Sequence, residues 1–432
     1  MKNEWKEAFW VFGIGFLLFY ILYQLTGAPI MTPDSHVYRD FSPAPWKHLG
    51  DWPATGLPFW LYGYGLFGLP QKFFFILVAA LRISLVFLLF RGFLSRRYSL
   101  LALVPLVFDS QWIQMSLSYW TEILFLCHLL GFALLIKSGL SFRKCLIFVG
   151  VLFISATDIR TAGIFFLPGI VLGLAIKHAK NRLDFVFKFS ISGLGLLFVW
   201  MGTNWVRSGD FFRPVKGQVE CFYRLVSFNE LATCNFLPDS RLCALDPERK
   251  FLSSAIDPGA LHFSPESPYV KLRSEVGTEG VCKEWKEVGN VIKNELKIPL
   301  WNLIKKRIWK QFSRWTQTER GPVENPTNPE NSFFLFLDKW NDFSNPFQQI
   351  YRGLLVIGFL GLVFFRIFDP IFLFLYVGGL THALGISLNN PFLALRYQSI
   401  HKHCIYLAAA MVIFEIVQRQ RKKRLKKFVD PK

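Results

Sequence analysis

Apolar positions gather into ten runs along the chain, at about residues 8–25, 73–90, 98–113, 119–136, 145–157, 162–176, 185–203, 351–368, 371–388 and 404–417. Runs of this length approach or exceed the span of a bilayer core about 30 Å thick. The polar stretches between them are short, except for residues 26–72 and 204–350. The pattern predicts an all-α polytopic membrane protein of about ten transmembrane helices. It divides the chain into a seven-helix membrane core (1–203) with a long first outer loop (26–72), a hydrophilic region (204–350), three C-terminal transmembrane helices (351–418) and a basic tail (419–432). Residues 145–176 as a single helix would run about 48 Å, so a hairpin broken at Thr157-Asp158-Ile159-Arg160-Thr161 is expected instead.

Composition agrees with lipid as the solvent, since only 18% of residues are charged where soluble domains carry about 25%. The net charge of +19 would suit a polyanion binder, and the placement of the basic residues decides against it. Arg91, Arg96 and Arg97, then Lys137, Arg143 and Lys144, then Lys177, Lys180, Arg182 and Lys188, then Arg366 fall on every second loop, which the positive-inside bias makes cytoplasmic. The tail from Arg419 to Lys427 falls on the same side, where it meets anionic headgroups, so no nucleic acid is expected as a partner. Lys2 and Lys6 precede the first run and no small-residue cleavage site follows it, so a retained helix and two cytoplasmic termini are expected.

Four of the seven cysteines, Cys221, Cys234, Cys243 and Cys282, lie in region 204–350, which this topology makes extracytoplasmic. Two disulfides are predicted there, with three pairings open. Cys127, Cys145 and Cys404 read as free packing residues. The region has no Asn-x-Ser/Thr acceptor, because Pro326 disqualifies Asn325, which leans toward a bacterial inner membrane with the working face periplasmic. Residues 285–315 alternate basic and apolar positions at helical spacing. They predict two amphipathic helices divided near Pro299, lying either on the membrane surface or against their own domain.

Chemistry-bearing residues cluster at the outer ends of the runs. Asp34 stands just beyond the first run, where a carboxylate can take a proton from a hydroxyl, or merely shape a turn after Pro33. Glu122 opens the fourth run behind Ser118 and Thr121. The bland reading is an acid favoured by the helix dipole, and the functional one is an acceptor-positioning group or a ligand for a divalent cation. Arg160, at the tip of the tight hairpin, opposes the charge bias and suits a phosphate. Arg396 and Tyr397, followed by His401, Lys402 and His403, place a second cationic cluster on the same face. His401 and His403, two apart on a helix, diverge and do not make a metal pair. His128 and His382 read as satisfied core histidines, and Asp369-Pro370 as a helix cap.

PDSHVY after the first run, SYWTE opening the fourth, IRTAG between the fifth and sixth, and LRYQSI before the last together resemble the GT-C superfamily of membrane glycosyltransferases, in its bacterial branch of aminoarabinose and mannosyl transferases. The resemblance implies inverting transfer of a sugar from a polyprenyl-phosphate donor to a lipid, glycan or protein acceptor on the non-cytoplasmic face. Asp34 would be the general base and Glu122 an acceptor or metal group, while Arg160, Arg396, Tyr397 and Lys402 would hold the lipid phosphate. No cofactor is certain, and a divalent cation stays open because Asp34 is followed by Ser35 where many relatives carry paired acids. Three other readings compete: a lipid or solute transporter, a scaffold, and a surface-polysaccharide polymerase or ligase. The transporter would need charged or broken helices near the midplane, whereas most ionisable groups are expected at the outer face.

Overall fold

A computed structural model describes residues 2–27, 29–31, 33–51, 55–229, 234, 237–251, 261, 264–313, 331–361, 369–389 and 395–429. The described chain is helical throughout: α1 (Lys2–Thr26), α2 (Pro33–Phe41), α3 (Gly56–Gly65), α4 (Gln71–Arg91), α5 (Arg96–Phe108), α6 (Ser110–Leu117), α7 (Glu122–Lys137), α8 (Phe142–Ile159), α9 (Leu167–His178), α10 (Arg182–Ser208), α11 (Gly217–Ser227), α12 (Arg241–Ala244), α13 (Pro268–Asn294), α14 (Lys297–Ser313), α15 (Asn331–Gly361), α16 (Pro370–Asn389) and α17 (Leu395–Val429). Among the described residues there is no strand, only a parallel bridge between Ile30 and Ser118.

Six described helical segments are long and apolar enough to cross a membrane: Asn3–Thr26, Gln71–Arg91, Thr161–His178, Arg182–Ser208, Pro370–Leu388 and Gln398–Arg421. A seventh would be the bent pair of α5 and α6. The expected run 98–113 is therefore not one helix: it breaks by 69° at Asp109. The break is stabilised locally, because the Asp109 carboxylate accepts from the Trp112 backbone N–H at 3.1 Å and Trp340 Nε1 donates to the freed carbonyl of Phe108 at 3.2 Å. The hairpin at 157–161 is present: α8 stops at Ile159, Arg160 is extended, and a 3-10 turn over Thr161–Phe166 leads into α9.

Residue 351, expected to begin a membrane segment, falls inside a longer helix. α15 runs unbroken from Asn331 to Gly361 and buries Phe333 and Leu337 in the same core as the membrane helices. Its polar residues Asn341, Ser344 and Gln348 hid this continuity, because they are buried toward the bundle and Gln348 donates to Ser110 Oγ at 3.2 Å.

The basic loops meet at one end of the bundle. Arg91 pairs with Glu7 at 2.7 Å, Lys177 donates to the carbonyls of Leu135 and Ser138, and Lys188 sits 5.7 Å from the Phe142 ring. From that end α5, α7 and α8 rise only about 20, 24 and 27 Å, for 13, 16 and 18 residues. Their far ends bring Asp109, Glu122 and Arg160 to the end of the bundle opposite the basic loops, and all three are buried there. α9 and α16 cross at backbone contact, since a Cβ on Gly169 would lie 2.6 Å from Gly378 N. α10 is peripheral: Leu183, Val186, Phe187, Leu194 and Phe198 are exposed, the surface a lipid-facing helix presents.

The hydrophilic region has its own core of Phe222, Leu225, Val226, Leu242, Tyr269, Leu272, Val281, Val288 and Leu296. Two disulfides staple it, Cys221–Cys282 and Cys234–Cys243, and Cys127, Cys145 and Cys404 are free and buried. The amphipathic stretch divides at Glu295 and Leu296 and not at Pro299, which sits in the first turn of α14, where a missing N–H costs nothing.

Candidate functional site

The first outer loop packs on the segment between α6 and α7. Ile30 N–H donates to the carbonyl of Leu117 at 2.8 Å, and Tyr119 N–H donates to the carbonyl of Ile30 at 3.1 Å. The buried Ser35 hydroxyl then donates to the carbonyl of Tyr119 at 3.1 Å. These bonds seat α2, with Asp34 in its first turn, on the segment that leads into Glu122. Farther along, Thr55 Oγ1 donates to Asp158 at 3.2 Å, Trp60 Nε1 donates to Ser155 at 3.3 Å, and Gly56 lies against the backbone of Ile159. Asp158 also pairs with the buried Arg207 at 3.3 Å.

Glu122 and Arg160, both buried, meet in an ion pair made by Arg160 Nη1. The same nitrogen donates to Thr121 Oγ1 at 3.1 Å. Thr121 is the residue before α7, yet its hydroxyl makes no capping bond and points to this pair instead. The helix-dipole reading of Glu122 therefore misses its main partner. A cation site does not fit here: the carboxylate is engaged by a guanidinium, and among the described residues no three His, Cys, Asp or Glu side chains gather to hold a metal.

α16 and α17 pack against the turn that follows Arg160. Thr381 Oγ1 donates to the carbonyl of Phe165 at 2.6 Å, and Phe166 packs on His382 with ring centroids 4.9 Å apart. His382 lies within electrostatic reach of Arg160, and its Nδ1 faces that of His401 at 3.4 Å. His403 turns away to the Trp112 ring, 4.5 Å between centroids, so the two histidines of α17 do diverge. His128 is satisfied by the Leu124 carbonyl and the Ser155 hydroxyl, each at 2.8 Å. Asp369 caps α16 through the N–H groups of Ile371 and Phe372, both at 3.0 Å. Lys402 is buried. Arg396 and Tyr397 fall in the first turn of α17, with their side chains outside the described residues.

Sequence reasoning missed a further cluster. Arg82, in the middle of α4, is buried with its guanidinium 4.9 Å from the Trp112 ring. Asp109, at the break between α5 and α6, is buried and close enough for its charge to interact with those of Arg82 and Lys402. Among the described residues Arg82 Nε and Nη1 and Asp109 Oδ2 have no hydrogen-bond partner. These two stand in the bundle interior, apart from the outer face where most ionisable groups are expected. An arginine inside an apolar helix is itself the signal that could have found them.

No protein-family model, curated protein or solved structure matches this chain.

Proposed function

We propose that the protein is a membrane glycosyltransferase of GT-C type that moves a sugar from a polyprenyl-phosphate donor to an acceptor hydroxyl on the non-cytoplasmic side. The observation that carries the reading is the placement of two candidate groups at the end opposite the basic loops: Ser35 ties the helix of Asp34 to the segment that leads into Glu122, and Glu122 pairs with Arg160. On this reading α7, α8 and α15 complete a set of ten crossings, and the basic end with both termini faces the cytoplasm of a bacterial inner membrane.

The acceptor oxygen attacks the anomeric carbon from the face opposite the phosphate while Asp34 takes its proton. The carbon–oxygen bond to phosphate breaks, and the electron pair leaves with the polyprenyl phosphate. The resemblance gives Arg160, Arg396, Tyr397 and Lys402 the role of stabilising that developing charge. Glu122 orients Arg160: both named bonds use Nη1, one of three guanidinium nitrogens, and a fixed guanidinium stabilises a leaving phosphate without reorganising.

The test measures labelled sugar entering envelope material, and polyprenyl phosphate released, at matched membrane levels of wild type, Asp34→Asn and Arg396→Ala. Loss of both products in both variants supports transfer. Wild-type incorporation by Asp34→Asn removes the base and the reading with it.

One observation favours a second reading, a lipid or solute transporter. Arg82 and Asp109 beside a broken helix are what a transport site in the bilayer interior needs. Retained transfer in Asp34→Asn, with accumulation of lipid-linked substrate in Arg82→Gln and Asp109→Asn, would put transport first.

A further inference from the structure

α14 has two faces of different kinds. Leu303 and Arg307 are buried against the hydrophilic domain, and Arg307 donates to the carbonyl of Ser227 at 2.8 Å. On the opposite face Ile298, Trp301 and Trp309 are 75%, 56% and 74% exposed, although nothing in the domain requires large apolar side chains there. Ile298, Trp301, Lys305 and Trp309 share one stripe at helical spacing, and Lys305 Nζ lies 5.4 Å from the Trp301 ring. Lys297, Lys306 and Lys310 are exposed on the same helix, and its sequence KIPLWNLIKKRIWKQFS contains no acidic residue.

The helix also packs against α16, one of the candidate membrane helices, so it lies at the border of the bundle and not at the far edge of the domain. Tryptophan and lysine on an otherwise apolar stripe are the residues that partition into the headgroup layer: indole fills the boundary between headgroup and acyl chain, and lysine reaches lipid phosphate above it.

We propose that the outward face of α14 is seated in the headgroup layer and binds anionic phospholipid headgroups through Lys305 and Lys306, with Ile298, Trp301 and Trp309 inserted beside them. α14 then forms the seat by which the disulfide-bonded domain rests on the bilayer, whatever reaction the protein performs. The charge pattern selects anionic lipid over zwitterionic, because exposed lysines on a helix whose own sequence carries no acidic residue gain from a negative surface.

The full-length protein is reconstituted in nanodiscs of phosphatidylcholine, with and without phosphatidylglycerol, carrying Trp301→Cys labelled with a polarity-sensitive fluorophore. The native thiols are buried or disulfide-bonded, so the new one takes the label. Glu287→Cys on the exposed side of α13 is the solvent reference. The expected result is a blue-shifted probe at 301, quenched by a lipid-borne nitroxide and shielded from aqueous iodide. The shielding should increase with phosphatidylglycerol and be lost in Lys305→Glu/Lys306→Glu. Trp309→Cys serves on the same face if Trp301→Cys does not accumulate. Equal iodide quenching at 301 and 287 would overturn the proposal, as would shielding indifferent to phosphatidylglycerol. Shielding in lipid-free detergent that grows with protein concentration would overturn it in favour of a second copy of the chain.

Discussion

The Ser35 hydroxyl donates to the Tyr119 carbonyl at 3.1 Å and so ties the helix of Asp34 to the segment that ends in Glu122, 84 residues on in sequence from Ser35 to Tyr119. A neutral hydrogen bond of this kind contributes about 1 kcal/mol. Ser35→Ala is expected to leave membrane levels unchanged and to slow sugar transfer several-fold, up to about tenfold, through a looser Asp34. Transfer by Ser35→Ala at the wild-type rate would show that the tie is not needed.

Glu122 and Arg160 are each buried, so removing one strands the other. Arg160→Met or Glu122→Leu alone is expected to cost about 3–5 kcal/mol and most of the monodisperse protein recovered in detergent. The double variant should recover folded yield while remaining inactive in transfer. A double variant no better folded than either single would mean that the two are not coupled.

Gly56 and Gly63 are both in α3 and give an internal control. A Cβ at Gly56 would lie 2.5 Å from Ile159 N, whereas at Gly63 it meets nothing within 4 Å. Gly56→Val is expected to lift the outer loop from α8, at a cost of about 1–3 kcal/mol, with faster protease cleavage between residues 42 and 55. Gly63→Val should cleave at the wild-type rate.

The disulfides differ in the chain they close. Cys221–Cys282 spans 61 residues and Cys234–Cys243 spans 9, so chain entropy ascribes about 4 and about 3 kcal/mol to them. Replacing the first pair by serines is expected to lower the thermal midpoint of the hydrophilic region more than replacing the second. The reverse order, in scans followed by domain tryptophan fluorescence, would count against the entropic account.

The features that could be read along the chain are those in which neighbouring residues cooperate. Apolar runs, alternating basic loops, the cysteine cluster and the hairpin at Arg160 all have local signals. The hidden features join distant positions or interrupt a run without changing its average. Asp109, Ser110 and Gln111 are the three polar residues between Val104-Pro105-Leu106-Val107-Phe108 and Trp112-Ile113, too short a stretch to change the average of a hydropathy window, which passes over the 69° break. Arg82 disappears in the same way among Leu81, Ile83, Leu85 and Val86. Asn341, Ser344 and Gln348 suggested solvent because polar residues usually face it, yet here they line a helix contact. The pairing of Glu122 with Arg160 closes the open end of one helical hairpin, α7 and α8, across 38 residues, and nothing near either residue announces it.

α4 and α10 both qualify as membrane helices, but 78% of the apolar window of α4 is buried in protein and only 11% of that of α10. α10 therefore answers to a fluid neighbour that accepts any apolar shape, while α4 answers to side chains of fixed outline. Over generations the exposed positions of α10 are free to drift among leucine, valine and phenylalanine. Those of α4 can change only when a partner changes with them, so the history of this protein is held in its buried helices and erased from its outer one.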